Sequence, residues 1–168
     1  MGSGKTTVGQ ELARRLARPY LDSDAQVVRR TGRSVAEIFA DQGEPAFRAE
    51  EKAALTEALS SPVPAVVSVA GGAVLDPANR EALRRAGTVV WLRAMVGTLA
   101  ERVGSGAGRP LLGDDPRASL ERLDDERRPL YQELAGLVVD VDGLTPGEVA
   151  DRIVSEARLR PAAQAVRR

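Results

Sequence analysis

The chain opens with Met1-Gly2-Ser3-Gly4-Lys5-Thr6-Thr7, and the reading of that stretch decides the fold. Gly-Lys-Thr behind a glycine-rich run, leading into a helical pattern, is most of a phosphate-binding P-loop, G-x-x-x-x-G-K-[ST]. The first glycine of that motif would lie ahead of Met1, and so would the strand that feeds the loop. Gly2 and Gly4 let backbone N–H groups turn inward around phosphate oxygens. Lys5 would bridge the β- and γ-phosphates, and the Thr6 hydroxyl would ligate Mg²⁺. Gly-Ser-Gly alone also reads as a tag scar; the immediate switch to a helix favours the phosphate reading. Val8, Leu12 and Leu16 recur at four-residue spacing with charges between them, so the helix opens at Lys5–Thr6.

Composition narrows the chemistry. A chain of 168 residues, 43% hydrophobic and 29% charged, reads as one globular domain. With 24 basic against 24 acidic residues, it is no electrostatic nucleic-acid binder. It has no cysteine and no histidine, which excludes disulfides, thiolate metal sites and histidine acid–base catalysis. Any general base must be Asp or Glu. No apolar run reaches the ~18 residues of a membrane span, and no secretory signal pattern is present. The expected setting is cytoplasmic, the expected state a monomer. The only lysines are Lys5 and Lys52, which makes Lys5 more telling than any arginine.

Downstream, Pro19 should end the first helix. Tyr20 to Asp24 reads as a strand carrying two carboxylates at its end, with Asp24 a candidate N-cap for a helix over 25–30. Ser34 and Glu37 form a capping box. Gly43 should break that helix, and Pro45 should start a longer one to about Ser60. Its Arg48 and Glu51 lie side by side at i and i+3. Ala65 to Ala70 is a β-branched run ending at Gly71-Gly72, as in a strand buried on both faces. Asp76-Pro77 starts a helix to Ala86; Thr88 to Leu92 is a strand; Val96, Leu99 and Val103 mark a helix. Residues 104–116 form a glycine-rich loop longer than the usual connection of ~4–6 residues, as functional lids do. Arg117 to Ala135 is a charged helix, Leu137 to Val141 the last strand, and Thr145-Pro146 caps the final helix. Strands alternating with helices mean α/β with a parallel sheet, and ligands sit at the carboxyl ends of its strands. Asp22, Asp24, Gly71 and Gly72 fall there.

Each constellation has a bland counterpart. Asp22 and Asp24 could hold Mg²⁺ through water and accept a proton from a hydroxyl, or serve only as cap and turn. Arg48, Arg109 and Arg127 could fork onto carboxylate or phosphate, or be solvated charges. Gly71-Gly72 could admit a ligand to the backbone, or simply end a strand.

Taken in order, the pieces resemble shikimate kinase. Gly2-Ser3-Gly4-Lys5-Thr6-Thr7, Asp22-Ser23-Asp24, Phe47-Arg48-Ala49-Glu50-Glu51, Ala70-Gly71-Gly72, Arg109-Pro110-Leu111-Leu112 and Arg127-Arg128-Pro129-Leu130-Tyr131 follow the family's run of motifs. So do Thr31-Gly32-Arg33-Ser34, Ile38-Phe39 and Gly43-Glu44. The resemblance spans Gly2 to about Ser155. It implies a three-layer α/β P-loop kinase fold with a parallel sheet of order 2-3-1-4-5. The central first strand is then missing, so the sequence is expected to be an N-terminal truncation from a misassigned start codon. The expected domain runs over 1–160, with substrate helices over about 25–60, a lid over about 104–116 and a disordered tail over 161–168.

The implied activity is ATP-dependent phosphorylation of the 3-hydroxyl of shikimate, an alcohol phosphotransfer serving aromatic amino acid synthesis. The resemblance makes Asp24 the substrate-hydroxyl ligand and candidate base. It makes Arg48 and Arg127 a clamp on the substrate carboxylate, with backbone contacts from Gly71 and Gly72. Gly2 to Thr7 would cradle ATP, with Lys5 and the lid's Arg109 stabilising the transferring phosphoryl and Arg102 stacking on adenine. Thr6 and Asp22 would hold Mg²⁺. Ala70 departs from the family's first glycine, and the loop Asp142 to Pro146 lacks an adenine-side arginine. The alternatives are another small-molecule P-loop kinase, such as a gluconate kinase, and a non-catalytic nucleotide-binding homologue.

Overall fold

Helix α1, Lys5–Leu16, starts where the glycine-rich stretch stops, and Gly4 caps it in the left-handed conformation at φ 86°. Ala17, also left-handed, closes it two residues before Pro19. The structure, a computed structural model, describes residues 1–106 and 109–160. Ala107 and Gly108 of the expected lid, and all of the expected 161–168 tail, lie outside the described residues.

Strand β1 is Tyr20–Asp22, followed without a loop by α2, Ser23–Thr31. Helix α3, Val35–Leu59, carries the expected Ser34–Glu37 capping box. Gly43 leaves helical geometry inside it, at φ 78° and ψ 176°, just ahead of Pro45, which is the break the sequence marks. Strand β2 is Val66–Ser68, and a short 3₁₀ turn at Ala73–Leu75, which the sequence reading did not anticipate, precedes α4, Pro77–Ala86. Then come β3 (Val90–Arg93), α5 (Val96–Val103), a 3₁₀ turn at Pro110–Leu112, α6 (Pro116–Leu134), β4 (Leu137–Asp140) and α7 (Pro146–Glu156). Thr145 and Glu148 form a second capping box at α7.

The strands make two parallel pairs, β1–β2 and β3–β4, which match the 2-3 and 4-5 halves of the expected order. Between β2 and β3 lies a cavity of about 540 Å³. The Val66 amide bonds Pro19 and the Ala70 amide bonds Ser23, so the even residues of β2 face β1. The Val89 and Arg93 carbonyls bond toward β4. By alternation along a parallel strand, backbone groups of Val67, Val69, Val90 and Leu92 turn toward the cavity. Helices cover both faces. Val8, Leu12 and Leu16 pack with Val149 and Ile153 on one side; Leu55, Val74, Leu83 and Leu134 pack on the other. Together they give the three-layer α/β architecture. Val27, Ile38, Phe47 and Ala54 knit α2 to α3 in a satellite core beside the strand ends.

Gly9 shows why α1 must sit where it does. A methyl group there would meet the Tyr20 ring at 2.6 Å and the Ser68 hydroxyl at 2.9 Å. Helix propensity favours alanine over glycine by about 1 kcal/mol, but overpacking a fixed contact costs about 1–3 kcal/mol. Gly9→Ala should therefore lower the urea midpoint rather than raise it; an unchanged or higher midpoint would mean the Tyr20 ring yields freely.

Candidate functional site

The site begins at the N-terminus of α1. No side chain caps it and its first turn holds no acidic residue, so its N–H groups are available to an anion. The loop is fastened from below: the Ser68 hydroxyl donates to the Lys5 carbonyl at 3.1 Å. Ser3 and Lys5 line the cavity side of the loop, while Thr6 and Thr7 are exposed on the first turn. The Thr6 hydroxyl donates to Asp22 Oδ2 at 3.4 Å. At the rim, Arg102 donates to the Gly2 carbonyl at 3.4 Å. Arg109 is half-buried and donates to the Val103 carbonyl at 3.2 Å.

The two aspartates divide their roles differently from the sequence expectation. Asp22, not Asp24, is the N-cap of α2: its Oδ1 accepts the amides of Asp24 and Ala25 at 3.0 and 3.3 Å. The strand ends sooner than its composition suggests, so the cap falls two residues earlier and Asp24 lies in the helix's first turn. Its carboxyl is thereby released from local bonding, with no hydrogen bond among the described residues, and Asp24 is exposed. The surrounding protein, and then the Asp22 charge, push its pKa above the ordinary carboxylate value, with Lys5 and Arg48 opposing. Ser23 between them is buried, and its hydroxyl accepts the Ala70 amide at 2.9 Å. That bond joins the aspartate turn to the Gly71-Gly72 strand end and uses the Ala70 backbone without needing glycine there.

Two guanidinium groups converge on those glycines. Arg48 lies flat against Gly72, where a Cβ would come within 2.5 Å of Cζ. Glu51 accepts from Arg48 Nη1 at 2.8 Å, the neighbour that i, i+3 spacing predicts. Arg127 is 7% exposed, its Nε has no hydrogen-bond partner among the described residues, and its nearest carboxylate, Glu126, stands 3.8 Å away. Arg127 Nη1 sits 3.6 Å from where a Gly71 Cβ would be, and the Tyr131 hydroxyl, one turn on, donates to the Gly71 carbonyl at 2.8 Å. Trp91 packs on Tyr131 from behind, with ring centroids 5.6 Å apart. Burial pulls the Lys5 ammonium below its usual pKa; Asp24 and Asp22 oppose this, and Arg109 and Arg127 add to it. Lys5, Asp22, Asp24, Arg109 and Arg127 thus share one electrostatic neighbourhood, with a poorly paired buried cation that an anionic ligand would satisfy.

Ser23, Ser68 and Tyr131 were not picked out as site residues from the sequence. Their partners lie 47, 63 and 60 residues away, and no local spacing reveals them.

The sequence profile described as shikimate kinase matches residues 1–158. A shikimate kinase of Thermobifida fusca is 47% identical over 156 residues, covering 92% of this chain and 89% of that protein. One of Streptomyces coelicolor is 44% identical over 162 residues, covering 96% and 94%. Among solved structures, shikimate kinase from Acinetobacter baumannii in complex with shikimate superposes with a TM-score of 0.88 at 36% identity, covering 94% of this chain and 88% of that one. The Aquifex aeolicus enzyme gives 0.82 at 32%, covering 94% and 92%. Fold, motif order and similarity along nearly the whole length agree: the chain belongs to the shikimate kinase family.

Proposed function

We propose the following division of labour for ATP-dependent phosphorylation of the shikimate 3-hydroxyl. The observation that carries it is the convergence of Arg48 and Arg127 on Gly71-Gly72, beside a free Asp24 carboxyl and the N-terminus of α1. The substrate carboxylate sits between the two guanidiniums, which offer forked, charge-assisted hydrogen bonds. Asp24 takes the ring hydroxyls and orients the 3-hydroxyl toward the γ-phosphorus. The oxygen of that hydroxyl bonds to phosphorus as the bond to the β,γ-bridging oxygen breaks, and the hydroxyl proton passes to Asp24 or to a phosphate oxygen. Positioning and charge stabilisation supply most of the acceleration in such transfers, so Asp24 need not be a strong base.

Gly2, Ser3 and Gly4 and the first turn through Thr7 receive the ATP phosphates. Lys5 and Arg109 neutralise charge on the moving phosphoryl, and Arg102 covers the adenine. Thr6 and Asp22 fit magnesium, since both offer hard oxygen donors. Asp22 is engaged through both oxygens already, which suits a contact through water. When bound, the ion shields phosphate charge during transfer. Residues 104–116 act as a lid excluding water; Leu112, fully buried with Val103, Leu120 and Leu123, anchors its far end.

Turnover on shikimate but not on gluconate, in a coupled assay of ADP release, tests the substrate assignment; turnover on gluconate alone would overturn it. Arg127→Met should raise the shikimate KM by about a hundredfold, within the ~2–5 kcal/mol of a truncated buried charge contact, with the ATP KM within about twofold. Because the buried cation lacks a good partner, the same variant should melt at or above wild type without substrate and lose shikimate's thermal protection. Equal losses for both ligands would count against the clamp. Asp24 must be ionised to accept a proton, and its folded pKa is raised. The acid limb of kcat/KM should therefore lie above the 3.8 of a free aspartate, measured from a pH–rate profile; a limb at or below that value refutes Asp24 as acceptor.

A further inference from the structure

Arg48 already holds a carboxylate where its ligand would bind. Glu44 Oε1 accepts from Arg48 Nε at 3.1 Å and from Nη2 at 2.8 Å, taking one whole edge of the guanidinium. Glu51 takes Nη1 from another side. An arriving substrate carboxylate would be the third negative group on a single cation. One of the two residents must yield.

The two differ in their freedom to do so. The Glu51 side chain is 1% exposed, its second oxygen is buried without a partner, and burial pushes its carboxyl above the ordinary pKa despite Arg48. It has no path to water. The Glu44 side chain is 46% exposed and has no hydrogen bond except to Arg48 among the described residues. It also sits at the one point where α3 departs from helical geometry, between Gly43 at φ 78° and Pro45. A small rotation there carries Glu44 into solvent without disturbing Phe47 or Glu51 in the core behind.

We propose that Glu44 is an internal substitute for the substrate carboxylate, holding Arg48 against Gly72 until the substrate displaces it. This rests on the reading that Arg48 receives that carboxylate. The exchange is nearly neutral in charge, since one carboxylate replaces another on the same edge, so Arg48 never stands uncompensated. It also selects: a neutral polyol has nothing to trade for Glu44 and leaves the arginine closed. The substrate must outcompete a tethered rival, so the resident carboxylate weakens apparent affinity.

The sign of one substitution decides the matter. Glu44→Gln keeps size and hydrogen-bonding oxygen but removes the charge. Shikimate binding, measured by calorimetry on the nucleotide-free protein, should tighten about three- to fivefold, the range for a partly exposed ion pair. The shikimate KM should fall in parallel, with the ATP KM unchanged. Affinity for shikimate methyl ester, which carries no charge, should not change. Unchanged or weaker shikimate binding in Glu44→Gln would show that Glu44 merely positions Arg48, and would overturn the proposal. Arg48→Met separates the two levels of inference. If it abolishes shikimate binding while Glu44→Gln brings no gain, only the exchange fails. If it leaves binding intact, the carboxylate clamp and the exchange fail together.

Discussion

The Asp22 carboxylate is the junction on which the site depends. One oxygen receives two amides of α2, and the other receives the Thr6 and Tyr20 hydroxyls, at 3.4 and 3.0 Å. Helix α1, strand β1 and helix α2 therefore meet at a single anionic group. Because Asp22 ends the strand and starts the helix, Asp24 is left unbonded at the cleft. The neighbouring serines repeat the logic with neutral groups: Ser68 fastens the Lys5 peptide and Ser23 the Ala70 amide. Three short side chains at adjacent strand ends hold the phosphate loop and the glycine pair in fixed relation, which positioning-dominated catalysis requires.

The second theme is charge held in readiness. Burial depresses the Lys5 ammonium, Arg109 and Arg127 lie close enough to add to that, and a lone buried guanidinium is costly. An anion brought beside these groups would relieve that repulsion. Arg48 is treated differently, with two carboxylates of its own. The two arginines beside Gly71-Gly72 thus differ: one is satisfied by carboxylates of the chain, and the other is buried without a good partner.

Much of this was legible because it is local. The helix after Lys5, the Ser34–Glu37 and Thr145–Glu148 boxes, the break at Gly43 and the Arg48–Glu51 pair all follow from spacings of four residues or fewer. The choice of cap between Asp22 and Asp24 was not, since both are good caps and the decision rests on how far β1 pairs with β2, through Asp22 opposite Ser68. The burial of Arg127 was equally hidden, because in a helix rich in arginine nothing local marks the one whose neighbours are Gly71 and Tyr131. The order of motifs supplied what spacing could not, because it implied which distant stretches belong to one site.

The two strand pairs are held to each other by their helices. Helices α2 and α3 lie between β1 and β2 along the chain, α5 and α6 lie between β3 and β4, and α7 packs on β4 and against α1. No ladder of hydrogen bonds ties one pair to the other among the described residues. What spans the two is apolar packing, from Leu12 and Leu16 on one face and Val74 and Leu134 on the other, together with the Arg15–Asp151 ion pair between α1 and α7 and the Tyr131 hydroxyl on the Gly71 carbonyl. Tyr131 stands one turn from Arg127 on α6, so the tie from that helix to the end of β2 acts as a spacer: it sets how near the buried guanidinium comes to Gly71.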